Sequence, residues 1–262
     1  MSTRSEVNLK MLMESHRGLC ISMYLPTHRV GAELQQDRIR LRQQMRQAEN
    51  LLFLANVHAA EVEDLLEPIQ ALVDNEAFWL HPGDGLALFR SQDVFDLYRL
   101  PSSFQELVVV STHFYLKPLL PWLGNVSKPQ HEAAAHYRNY AATERASNDI
   151  REVIPAAYDG RIESLFVASD QEQWGTLDPV TRTMHVHKVA KFRDEDLLDL
   201  AATQTLLHGG SVYAVERKHM PDATRIAAVF RHDPAAKLEE KEEVTRSDTS
   251  IPAVRQAHRS IT

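Results

Sequence analysis

Residues 116–140 read LKPLLPWLGNVSKPQHEAAAHYRNY, and this stretch decides how the chain is organised. Its first eight residues carry one charge among apolar side chains and two prolines. Gly124 then opens a short polar segment, and an alanine-rich, polar helix is predicted over 130–142. The pattern on the two sides of that break differs. We therefore place a seam at 125–129 between a first domain, 1–124, and a second, 130–232.

Upstream of the seam, a short helix is predicted over 5–17 and a strand over 19–25, LCISMYL, stopped by Pro26. After the loop PTHRVGAE comes a long helix, about 33–56. Its Leu34, Leu41, Met45, Ala48 and Leu52 recur at spacings of three, four and seven and so share one face. A second helix, 61–73, carries Val62, Leu65, Leu66, Ile69 and Val73 in the same manner. DGLALFR (84–90) and VFDLYRL (94–100) read as a hairpin, and 106–110 as a further buried strand. The expectation is a mixed sheet with helices packed on it.

Downstream, a helix is predicted over 148–158 and a central apolar strand over 162–168. WGTLDPVTRTMHVHKV (174–189) reads as a hairpin turning at Asp178-Pro179. A helix follows that opens on the acids at 194–196 and closes at Gly209. The strands 211–216 and 225–232 complete the unit. The whole is an α/β (mixed α+β) fold of two small α/β domains. From 233 to 262 the composition is charged and poor in large apolar residues, which predicts a disordered tail.

Bulk properties set limits. The chain has 262 residues, 44% of them hydrophobic and 25% charged, as globular domains do. Its apolar runs are far too short to span a bilayer, and the charged first residues do not read as a secretory signal. The single cysteine, Cys20, fits a reducing, cytoplasmic setting. A net charge of −7, with both halves acidic, excludes general polyanion binding. Any nucleic-acid contact needs a local basic patch.

Several motifs invite chemistry, and most have a plainer reading. HGGS (208–211) follows a helix and precedes a strand, the reverse of a phosphate-binding loop, so it reads as a helix end and turn. His185 and His187 share a strand face but lack a third ligand at a metal-site spacing, and no metal or cofactor is expected. Cys20 lies within an apolar strand and reads as core. Glu33, Asp37, Asp64 and Glu67 read as solvated helix faces. Arg38, Arg42 and Arg46 are different: four residues apart, they form a basic stripe, with His28, Arg29 and Arg40 close by. Guanidinium groups so arrayed match phosphate oxygens and bind them bidentately. His28, Arg29, Arg38, Arg42 and Arg46 are the candidate RNA contacts.

Longer phrases add a resemblance. CISMYLPTHRVGAELQQDRIRLRQQM (20–45), DGLALFR (84–90) and LPSSFQELVVVSTHFYLKPLLPWL (100–123) resemble the N-terminal domain of the bacterial relatives of the archaeal and eukaryotic class-one peptide-chain release factor. RASNDIREVIPAAYDGRIESLFVASDQEQWGTLD (145–178), EDLLDLAATQTLLHGGSVYAV (195–215) and RIAAVFRH (225–232) resemble their C-terminal domain, whose fold is shared with kink-turn RNA-binding proteins. Members of that family carry a middle domain between these two. Here LGNVSKPQ (123–130) stands in its place, as if that domain had been deleted. In the archaeal and eukaryotic factors the middle domain bears the Gly-Gly-Gln loop that promotes peptidyl-tRNA hydrolysis, and this sequence contains no Gly-Gly-Gln.

The resemblance thus implies a non-enzymatic, release-factor-like protein of the cytoplasm. Its loop-and-helix surface, 26–46, would face the ribosome or a structured RNA, and its second domain would hold a protein partner. The alternative from the residues is a protein-interaction or oligomerisation module, covered by a partner or as a homo-oligomer, that binds no RNA. A small-molecule hydrolase is a third class, for which no nucleophile, base and oxyanion donor assemble from the sequence.

Overall fold

The computed structural model describes residues 10–14, 16–28, 33–80, 83–123, 129–178, 181–191 and 194–231, the side chain of Leu34 excepted. Arg29, most of the seam and the expected tail lie outside the described residues. So does much of the first expected helix, of which 10–13 are helical.

The first half runs β1 (Cys20–Pro26), α1 (Glu33–Leu54), α2 (Ala59–Asp74), the single turn α3 (Glu76–Trp79), β2 (Gly85–Arg90), β3 (Phe95–Leu100) and β4 (Leu107–Ser111). Strand order is β3-β2-β1-β4, and every pairing is antiparallel. The expected mixed sheet is corrected here. A single crossover helix returns the chain parallel, but two consecutive helices, α1 out and α2 back, deliver it to β2 from the opposite end. Alternation along β1 sends Ile21, Met23 and Leu25 into a core with Leu41, Ala48 and Leu52 of α1 and Val62, Leu65 and Ile69 of α2. Cys20 and Tyr24 point the other way, onto Phe89, Phe114, Leu116 and Leu119. β1 is thus buried on both faces, which accounts for its nearly continuous apolar run.

A 3-10 turn (Lys117–Leu119) leads into the short α4 (Leu120–Leu123). Beyond the seam come α5 (Gln130–Tyr140), β5 (Ala146–Ser147), α6 (Ile150–Tyr158), β6 (Ile162–Ala168), β7 (Trp174–Leu177), β8 (Met184–Val186), β9 (Glu195–Asp196), α7 (Leu197–Leu207), β10 (Ser211–Val215) and β11 (Ile226–Phe230). The second sheet has the order β10-β6-β11-β5, with β6 and β10 parallel and β11 antiparallel to β6. β6 is central, as its apolar run predicts. Its Leu165 and Val167 pack under α6 and α7, while Phe166 and Ala168 face Ala133, Ala134 and Tyr137 of α5. The result is three layers, helix on sheet on helix. A small third sheet, β8-β7-β9, lies along the connection from β6 to α7.

One element start differs from the expectation. The acids at 194–196 do not open the helix. Glu195 and Asp196 pair with Gly175 and Trp174 as β9, and α7 begins at Leu197 with Asp196 as its N-cap. The fold is therefore α/β, with helices on antiparallel and mixed sheets. Both sheets lie in one compact unit and keep separate cores. The segment 116–123 ties them together. Leu116 and Leu119 belong to the first core, Leu120 to the second, and Leu123 touches both. Among the described residues no helix is long and apolar enough to cross a membrane.

Candidate functional site

The surface that the sequence singles out is built on a buried carboxylate. Asp37, in the second turn of α1, is fully buried. Its Oδ2 accepts the backbone N–H of His28 at 2.7 Å, and its Oδ1 lies 2.9 Å from His28 Nδ1. Arg40 donates to the same Oδ1 at 2.7 Å, and its Nε reaches Glu106 Oε1 at 3.2 Å. Thr27 fixes the strand end by donating from its hydroxyl to the Gly83 carbonyl. Two turns further along α1, Gln44 donates to the Tyr24 carbonyl at 2.7 Å. The loop after β1 is thus tied to α1 by charge-assisted bonds, which are stronger than neutral ones. Asp37 is accordingly not the solvated side chain expected from the sequence; Glu33, Asp64 and Glu67 are exposed as expected.

The arginine stripe is divided. Residues four apart advance about 40° around a helix at 3.6 residues per turn, so Arg38, Arg42 and Arg46 fan out from the α2 side toward solvent. Arg38 Nε donates to the Val73 carbonyl at 3.1 Å, near the C-terminal end of α2. Arg42 lies 3.6 Å from Asp74, both well exposed. Arg46 is exposed and forms no ion pair or hydrogen bond among the described residues. His28 Nε2 is 3.7 Å from Glu33. The structure therefore brings His28 together with Asp37 and Arg40, and leaves Arg42 and Arg46 as the accessible cations of the set.

A second polar cluster, at the junction of the two sheets, escaped the sequence reading. It joins residues 111–117 to residues 171–199. Lys117 is 3% exposed; its Nζ lies 2.8 Å from Asp196 Oδ2 and also donates to the Gln171 carbonyl. Asp196 Oδ1 in turn accepts the N–H groups of Gln173 and Leu198. Glu195 accepts from Ser111 and Thr112 hydroxyls at 3.2 and 2.5 Å and sits 3.5 Å from His113. Asp199 Oδ1 accepts the Leu116 N–H at 2.9 Å, with Oδ2 4.0 Å from His113. Burial pushes the Asp199 carboxyl up to about 7, helped by Asp196 and opposed by His113. Burial alone would lower His113, but Glu195 and the two aspartates hold it above its usual value. Burial raises Glu195, and its bonds to His113, Thr112 and Ser111 more than offset this and bring it below the usual range. Burial likewise raises the Tyr115 phenol, with Asp196 and Asp199 adding to it. The only trace in the sequence was Asp199 and Lys117 themselves, charged residues inside otherwise apolar runs.

The remaining candidates resolve simply. His187 Nδ1 pairs with the buried Asp194 carboxylate at 2.8 Å, whereas His185, two residues before it, is exposed. Among the described residues no group of three or more His, Cys, Asp or Glu is placed to hold a metal. Cys20 is fully buried, and burial, with a smaller push from Asp93, raises its thiol to about 12. HGGS ends α7: Gly209 adopts φ +71 and Gly210 donates back to the Thr205 carbonyl. Set against known proteins, this chain matches no protein-family model and no curated protein.

Proposed function

We propose that this chain is a non-catalytic, release-factor-like adaptor that docks on the ribosome or a structured RNA through the loop and outer face of α1. The observation that carries the reading is the Asp37 knot. It fastens the loop bearing His28 to the helix bearing Arg42 and Arg46, so the cations are presented from a fixed frame. A frame of this kind lowers the ordering cost of binding. The reading carries over no hydrolytic role from the release factors, since the sequence contains no Gly-Gly-Gln to carry it.

The division of the stripe sets the size of the effect. With Arg38 turned to the end of α2, two arginines meet phosphate rather than three. Each phosphate neutralised contributes about 0.7–0.9 to the slope of log affinity against log salt. Replacing Arg42 and Arg46 by alanine is expected to flatten that slope by about 1.5, measured by fluorescence anisotropy with a labelled structured RNA. Absence of binding at low salt, or a slope unmoved by the double substitution, refutes RNA contact at this surface.

A second reading, a protein-docking module without RNA, draws on the same geometry. Arg38 and Arg42 both serve the end of α2, which is what intramolecular structure alone would require of them.

A further inference from the structure

The α1–α2 pair carries an open groove beside the α1 arginines. It has a volume of about 620 Å³. Met45 and Phe53 of α1 and Val62 and Leu66 of α2 form its apolar floor. Phe53 is 46% exposed, an unusual position for so large an apolar side chain beside other apolar groups. The rim is acidic: Glu49 from α1, then Glu63, Glu67 and Asp74 from α2, with no basic residue among the lining side chains.

The charges of this rim are largely uncompensated. α2, AAEVEDLLEPIQALVD, holds acidic residues at 61, 63, 64, 67 and 74 and no lysine, arginine or histidine. Glu63 and Glu67 stand four apart on one helix face, a like-charge spacing that costs a few tenths of a kcal/mol in an isolated helix. Arg42 pairs with Asp74 at one end of the groove. Glu49, Glu63 and Glu67 form no ion pair among the described residues. An apolar trough with unpaired carboxylates on both banks repels RNA and complements an amphipathic helix that is apolar on one face and rich in lysine or arginine along its flanks.

We propose that this groove is the docking site for a basic amphipathic helix of a partner protein. Apolar side chains at helical spacing seat on Met45, Phe53, Val62 and Leu66. Flanking cations meet Glu49 on one bank and Glu63 and Glu67 on the other. The site borders Arg42, which pairs with Asp74 at one end of the groove, and does not depend on RNA contact at α1.

The test uses the full chain and a labelled leucine–lysine peptide with leucine on one helical face and lysine on the other, followed by fluorescence anisotropy. A leucine–glutamate peptide of the same pattern is the control ligand. Binding of the leucine–lysine peptide alone is expected. Phe53→Ala, and separately E63K with E67K, are expected to weaken it by about tenfold or more. E132K with E144K changes the same net charge on an exposed region elsewhere and is expected to leave affinity within about twofold. Thermal unfolding of each variant establishes that it is folded before its affinity is read. The proposal is overturned if the peptide does not bind, if E63K with E67K leaves its affinity unchanged, or if E132K with E144K weakens it equally.

Discussion

Asp199 shows how one side chain sets a pH response. The unfolded chain releases this proton near 3.8 and the folded chain near 7, because burial disfavours the carboxylate. The folded state therefore binds more protons between those values, and stability from this group falls as pH rises across them. His113 acts in the same direction. Its folded value lies above 6.5, so its contribution is complete below that pH and is lost as pH rises through the folded value. Glu195 opposes both. Its folded value lies below 4.5, so its contribution is present above that pH and is lost in acid. The combined expectation is greatest stability in mildly acidic solution. Asp199→Asn keeps an acceptor for the Leu116 N–H and removes the ionisation. Urea unfolding should show it stabilising the protein more at about pH 8 than at about pH 4; parallel pH curves for the two proteins contradict this assignment.

At the scale of elements, the strands and helices were largely legible and their edges less so. The turn signal before β2, the partial alternation of β3 and the long apolar period of α1 and α2 appear directly in the residues. β9 did not appear. Two acidic residues carry no strand signal, and their pairing with Trp174 and Gly175 exists only once β7 is in place. Gly175 instead lets β8 and the start of α7 come close: a Cβ there would overlap the His185 carbonyl oxygen and the Leu197 side chain. The arginine stripe was legible as a spacing but not as a surface, since the rotation of about 40° per step and the carbonyl of Val73 decide where each guanidinium goes. Asp37 was legible only as an acid. Its burial depends on His28 and Arg40 arriving together. Asp37→Ala strands the donors of His28 and Arg40, and a loss of about 2 kcal/mol in urea unfolding is expected, with an unchanged m value. A variant as stable as the parent would show the knot to be ornamental.

Across the whole molecule, the two sheets are coupled through residues some eighty positions apart, such as Ser111 with Glu195 and Leu116 with Asp199. No local pattern encodes such a meeting, which is why the junction was missed while the seam at 125–129 stood out. Lys117 is its centre, a nearly buried ammonium facing the buried Asp196. Lys117→Met removes one charge and leaves the other in place, and breaking a buried pair in this way costs about 3–5 kcal/mol. Chemical unfolding should therefore show a loss of at least about 3 kcal/mol, and a loss below about 1 kcal/mol would mean the pair does not hold the halves together. The function proposed above is that of a release-factor-like frame that docks without hydrolysing. Its most direct test is co-sedimentation of the chain with 70S ribosomes at low and raised salt, alongside the Arg42→Ala, Arg46→Ala double variant. The account predicts co-sedimentation at low salt that is lost at raised salt and is weakened in the variant. Absence from the ribosome pellet at low salt, or equal recovery of parent and variant, would contradict it.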